Sequence, residues 1–121
     1  MAIKKILVVD DSATERHIIG EVLTKQGFEV SFAESGEMGV AKAKQDKPDL
    51  IVMDVVMPGL NGFQATRAIS RDPETQHIPI LICTTKDQET DKIWGIRQGA
   101  KDYVVKPVSA AELLGKIAAL S

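Results

Sequence analysis

Five polar positions in this chain could do chemistry together: Asp10, Asp11, Asp54, Thr84 and Lys106. Each stands at the end of a short apolar run: "ILVVDD", "LIVMD", "ILICTT" and "YVVKP". Three carboxylates held close would repel and raise one another's pKa unless a cation neutralised them. A hard divalent ion such as Mg²⁺ suits that set, because it takes oxygen ligands and keeps several waters beside one or two carboxylates. No His or Cys joins the pattern, which argues against zinc. The plainer reading is that Asp10 and Asp11 are solvated turn residues and Ser12 merely caps a helix, since such dipeptides are common in turns. Asp54 and Lys106 at matching run ends are what favour a site over punctuation.

The elements that must position these residues alternate along the chain. Short β-branched runs occur at 6–9, around 30–33, and at 50–53, 78–83 and 103–105, and they suit strands buried on both faces. Between them lie helical spacings. Ile18, Ile19, Val22 and Leu23 form one stripe with Gly27 as a stop; Leu113, Leu114, Ile117 and Leu120 form another. Gly99 closes a third, carrying Ile93 and Ile96. Ser12 with Glu15, and Ser109 with Glu112, fit the reciprocal capping box, and Asn61 with Gln64 is a weaker version. Five βα units follow, and right-handed crossovers turn them into a doubly wound α/β sandwich with a parallel sheet. In such a sheet the strand C-termini share one edge, where ligands bind. If the first and third strands are neighbours, about 5 Å apart, Asp10, Asp11 and Asp54 can reach a common ion.

Composition narrows the classes. A chain of 121 residues is one domain, 1–121, with 44% hydrophobic and 26% charged residues, so it is neither disordered nor fibrous. Fifteen basic against seventeen acidic residues give a net charge of −2, which lends no support to nucleic-acid or membrane-surface binding. A single cysteine, Cys83, suits a reducing cytoplasm and reads as a buried small hydrophobe. No stretch approaches the roughly 20 apolar residues of a membrane span.

"VVDDS", "VMDVVMPGLNG", "ICTTK" and "YVVKP", in this order and spacing, resemble the receiver domain of bacterial two-component response regulators, over the whole chain. The single-domain chemotaxis type is the nearest in appearance, and "TTKDQETDKIWGIRQGAKDY" is similar to the receivers of pilus-based twitching-motility systems. The resemblance implies a flavodoxin-like fold with strand order 2-1-3-4-5. It implies that Asp54 accepts a phosphoryl group from the phosphohistidine of a sensor kinase, a carboxylate being a competent nucleophile towards activated phosphorus. Asp11, Asp54 and the backbone carbonyl of Val56 would ligate Mg²⁺, with Asp10 acting through water. Lys106 would pair with phosphoryl oxygens and Thr84 would hydrogen-bond one of them, while the bond before Pro107 would be cis. In "MPGLNG", Pro58, Gly59 and Gly62 would shape the loop after the phosphoacceptor.

Tyr103 is either the aromatic switch that follows Thr84 or a half-buried strand aromatic, and both can hold. Trp94 lies off the Ile93–Ile96 stripe, as a core flank or a partner contact on the face of the fourth helix, fifth strand and fifth helix. His17 and His77 are isolated, and "KDQETDK" is a solvated helix start. Val56 and Lys86, two residues past Asp54 and Thr84, tune phosphoryl lifetime in the family.

The expected protein is a monomeric cytoplasmic switch that assists its own phosphorylation and dephosphorylation rather than an enzyme with a separate substrate. It would control a target protein in chemotaxis or pilus motility. A phosphate sink in the same relay and a receiver excised from a longer regulator stay open as alternatives. Haloacid-dehalogenase-type phosphatases need a second acid where Val56 stands. A flavodoxin needs a hydroxyl- and Gly-rich loop in place of "DDSATE", and the nucleotide-binding G-x-x-x-x-G-K-[ST] loop is absent. A degenerate, scaffold-only receiver would not need Asp11, Asp54, Thr84 and Lys106 together.

Overall fold

The computed structural model describes residues 3–84 and 89–121, so the expectations at Thr85, at Lys86 and in the charged run over 86–88 lie outside the described residues. Strands and helices alternate: β1 (Lys5–Val9), α1 (Ala13–Lys25), β2 (Glu29–Ala33), α2 (Gly36–Asp46), β3 (Leu50–Asp54), α3 (Gly62–Arg71), β4 (Ile80–Thr84), α4 (Glu89–Gln98), β5 (Asp102–Val105) and α5 (Ala110–Leu120). All neighbouring strands are parallel, in the order β2-β1-β3-β4-β5. Val9 is in register with Met53, so β1 and β3 are neighbours as the acid pattern required.

Alternation along the strands sorts the core into two layers. Ile6, Val8, Leu50 and Val52 point to the side covered by Ile19 and Leu23 of α1 and Leu113 and Ile117 of α5. Leu7, Val9, Ile51 and Met53 point to the other, with Ala43 of α2 and Ala65 and Ile69 of α3. Among the described residues no helix is long and apolar enough to cross a membrane.

Several local expectations change. β4 begins at Ile80 rather than Ile78, because Pro79 has no N–H to give the ladder, although Ile78 is still buried. Ile18 faces solvent, and α1 instead buries Ile19, Gly20 and Leu23. Ile93 and Ile96, the expected core stripe of α4, are each 49% exposed, with Trp94 beside them at 48%. Among the residues of that helix whose burial is described, the buried one is Gly95, which lies so close to β4 that an added Cβ would stand 3.1 Å from Ile82 Cγ1. The helix lies flush on the sheet through a residue with no side chain, and its apolar residues point away. Trp94 is therefore an exposed residue, not a core flank.

Capping is also redistributed. Asn61 and Gln64 form the full reciprocal box at α3. At Ser12 and Ser109 only half of the box forms, the hydroxyl oxygen accepting from the N–H of Glu15 or Glu112. For Ser12 the cause is specific, since its own N–H donates to Asp10 Oδ1 at 2.9 Å, leaving nothing for Glu15 to accept.

Candidate functional site

The C-terminal edge of the sheet gathers the expected residues. Asp10 and Asp11 follow β1, Asp54 ends β3, Thr84 ends β4 and Lys106 follows β5. The ends of β4 and β5 are tied at this point by Lys106 N–H donating to the Thr84 carbonyl at 2.6 Å. The peptide between Lys106 and Pro107 is cis, as expected. Asp10, Asp11, Ser12, Glu15, Asp54, Val56, Lys106 and Pro107 line one open cleft of about 520 Å³.

Lys106 organises the acids. Its Nζ lies 2.8 Å from Asp10 Oδ2 and 3.0 Å from Asp54 Oδ1, with the lysine side chain only 9% exposed. Asp10 is thus engaged at both oxygens, by Lys106 and by the Ser12 N–H, and its carbonyl accepts from Arg16 Nη1 at 2.7 Å. Asp11 is exposed, and Val56 is 67% exposed in the cleft wall, where an apolar side chain costs a main-chain ligand nothing. Thr84 is buried at its strand end rather than in the cleft wall. Tyr103 lies elsewhere, half-buried, with the ammonium nitrogens of Lys92 and Lys116 at 4.5 and 5.1 Å from its ring centre.

Carboxylate oxygens of Asp10, Asp11 and Asp54 all come within 4.8 Å of one another. The lining offers oxygen donors with neither imidazole nor thiolate, so the set fits Mg²⁺ and not zinc. The electrostatics agree. Burial first, then the charge of Asp10, pushes the Asp54 carboxyl up to about 6, against the pull of Lys106. Burial alone would lower Lys106, but its hydrogen bonds to Asp10 and Asp54 outweigh it and the ammonium is held above its ordinary range. Beneath the site, burial pushes the Cys83 thiol up to about 12, so this cysteine is an inert core residue.

The Asp54 shift makes a stability prediction for the ion-free protein. A carboxyl whose folded pKa is about 6 against 3.8 binds its proton more tightly when folded. Its contribution is therefore fully present below pH 4 and lost as pH rises through 6. Asp54→Asn removes that loss. Thermal unfolding in EDTA should show the variant more stable than wild type by about 1–2 kcal/mol at pH 7.5, discounted for partial solvation. The two should converge at pH 4, and a gain that grows towards low pH would contradict the burial account.

The sequence did not point to Glu15 or Arg16 as site residues. Glu15 reads as a capping partner until the Ser12–Asp10 bond is seen, and Arg16 has no sequence signal beyond lying one turn into α1.

Residues 6–118 match the family model for the response regulator receiver domain. The chain is 58% identical over 116 residues to the protein PilH of Pseudomonas aeruginosa, covering 96% of each chain. It is 38% identical over 117 residues to the response regulator PleD of Caulobacter vibrioides, covering 97% of this chain and 26% of that longer protein. The chemotaxis protein CheY4 of Vibrio cholerae superposes with a TM-score of 0.92 at 33% identity, covering 99% of this chain and 100% of that one. A putative response regulator from Chloroflexus aurantiacus does so at 0.93 and 32%, covering 98% and 97%. A βα sandwich with this strand order, an acid-lined edge and one buried lysine thus has its relatives among signalling proteins, and the chain belongs to the response regulator receiver domain family.

Proposed function

We infer that this receiver is a phosphorylation switch: Asp54 takes a phosphoryl group from the phosphohistidine of a sensor kinase. The observation that carries the reading is a buried carboxylate at the end of the central strand, 3.0 Å from the ammonium of a lysine whose side chain is 9% exposed and beside two further acids. An Asp54 oxygen attacks phosphorus, the P–N bond breaks, and its electron pair leaves on the imidazole nitrogen, which then takes a proton. Mg²⁺, held by Asp11, Asp54 and the Val56 carbonyl, would neutralise the equatorial oxygens on which such transfers depend. Both Asp10 oxygens already have protein donors, which supports Asp11 as the direct ligand and Asp10 as an outer one. Lys106 turns from the acids to a phosphoryl oxygen, and Thr84 donates its hydroxyl to another.

The exposed Ile93 and Ile96, which line a shallow cleft with Tyr103, and the exposed Trp94 on the same helix support α4, β5 and α5 as the face that controls a target protein. Likeness to PilH supports a role in pilus-based chemosensory signalling, in the cytoplasm.

Incubation with Mg²⁺ and acetyl phosphate, or with a cognate kinase and ATP, tests this. Wild type should gain one acid-stable, base-labile phosphoryl group on Asp54, and Asp54→Asn none. No mass shift with any donor, together with normal signalling by Asp54→Asn, would remove the switch reading.

A further inference from the structure

We propose that Glu15 is a specificity-determining residue of this site: an outer carboxylate that strengthens divalent-cation binding and disfavours small anionic phosphodonors. The inference rests on the switch reading and adds a residue and a donor preference to it.

The argument begins at the start of α1. A glutamate three residues after a capping serine ordinarily folds back to accept the serine's own N–H. Here Asp10 Oδ1 holds that N–H at 2.9 Å, so the usual partner of Glu15 is taken. Glu15 is instead among the residues that line the cleft shared by Asp10, Asp11, Asp54 and Lys106, outside the cluster of three acids that lie within 4.8 Å of one another. Of the cations nearby, Lys106 is paired with Asp10 and Asp54, while Arg16 keeps its charge outside the cleft lining, with Nη1 on the Asp10 carbonyl. Val56 and Pro107, which complete the lining with Ser12, have no charge to offer. Among the described residues that line the cleft, four therefore carry carboxylates and one an ammonium.

Two consequences follow from that surplus. A bound Mg²⁺ keeps several waters, and these donate hydrogen bonds to carboxylates just outside the ligand set. A negative rim also attracts the cation while slowing a small dianion such as acetyl phosphate. A protein donor brings its phosphohistidine in by docking, so it is less sensitive to that rim.

Calorimetric titration of the full chain with Mg²⁺ at low salt tests the first part without any phosphodonor. Glu15→Gln should weaken binding by about tenfold, the low end for an outer partner of a metal ligand. Glu15→Asp keeps the charge and should stay within about twofold of wild type. With Mg²⁺ saturating, labelling by acetyl phosphate should be several-fold faster in Glu15→Gln, and the difference should shrink as salt screens the rim. Equal Mg²⁺ affinity of Glu15→Gln and wild type overturns the proposal and leaves the switch reading standing. Equal loss in the Gln and Asp variants overturns it too, because the role would then be in starting the helix. Failure of wild type to bind Mg²⁺ at all would sink both.

Discussion

Replacing Lys106 with methionine should destabilise the ion-free protein by about 3 kcal/mol, because it strips one partner from a buried ionic cluster. The ammonium bridges Asp10 at 2.8 Å and Asp54 at 3.0 Å, and those carboxylates are only 2% and 5% exposed. Without it the acids face one another with nothing between them. Asp54, whose pKa is already about 6, would take up a proton, which keeps the cost at the lower end of the range for a broken buried pair. For a chain of this size that is a fall in Tm of about 10 °C or more in EDTA.

Millimolar Mg²⁺ should restore much of the loss, since an ion bound only by the folded form stabilises it by mass action. The rise in Tm on adding Mg²⁺ should thus be larger in Lys106→Met than in wild type, and Asp11→Ala should abolish it in both backgrounds. Equal Mg²⁺ gains in wild type and Lys106→Met would show that the lysine and the ion do not compete for the same acids.

Gly62→Ala should be about as damaging, from packing rather than charge. Gly62 opens α3, and its N–H donates to the Val55 carbonyl at 2.9 Å. A Cβ there would stand 2.0 Å from the Asp54 carbonyl oxygen and 2.8 Å from both the Asp54 carbonyl carbon and Val55 Cα. All three atoms are backbone, so no side chain can swing aside. The helix must back away from the phosphoacceptor's own peptide, at a cost of about 3 kcal/mol, the upper end for overpacking a dense site. Because the strain falls on Asp54, Mg²⁺ affinity should drop with stability. Gly115→Ala in α5 is the control: a Cβ there meets nothing within 4 Å, and the better helix former should add about 0.5–1 kcal/mol. A Gly62→Ala protein with wild-type Tm and Mg²⁺ affinity would mean that α3 can shift freely.

The strand ends were legible in the sequence because a strand buried on both faces is apolar until it stops. Asp10, Asp54, Thr84 and Lys106 stand where those runs break, so the site could be read from where the pattern fails. The helices were less legible for a related reason. α2 has no apolar stripe to detect, because it packs through Gly36, Gly39 and Ala43, and a Cβ on Gly39 would come within 2.9 Å of Val9 Cγ2. In α4 the stripe exists but points outward, since Gly95 takes the position against the sheet. Periodicity reports that a helix has an apolar side and not what that side meets. Glu15 was misassigned because a local rule predicted its partner, and Asp10, five residues upstream, took that partner first.

The placement of the one tryptophan decides what light can report about this protein. Trp94 stands half-exposed on α4, outside the set of residues that line the acid cleft. At that exposure its emission should already be that of a wetted indole. Filling the cleft with an ion should leave it nearly unchanged, while a protein that covers α4 should shift it to the blue. Intrinsic fluorescence is therefore a gauge of partner docking in this receiver, and cation loading needs heat or calorimetry to be seen.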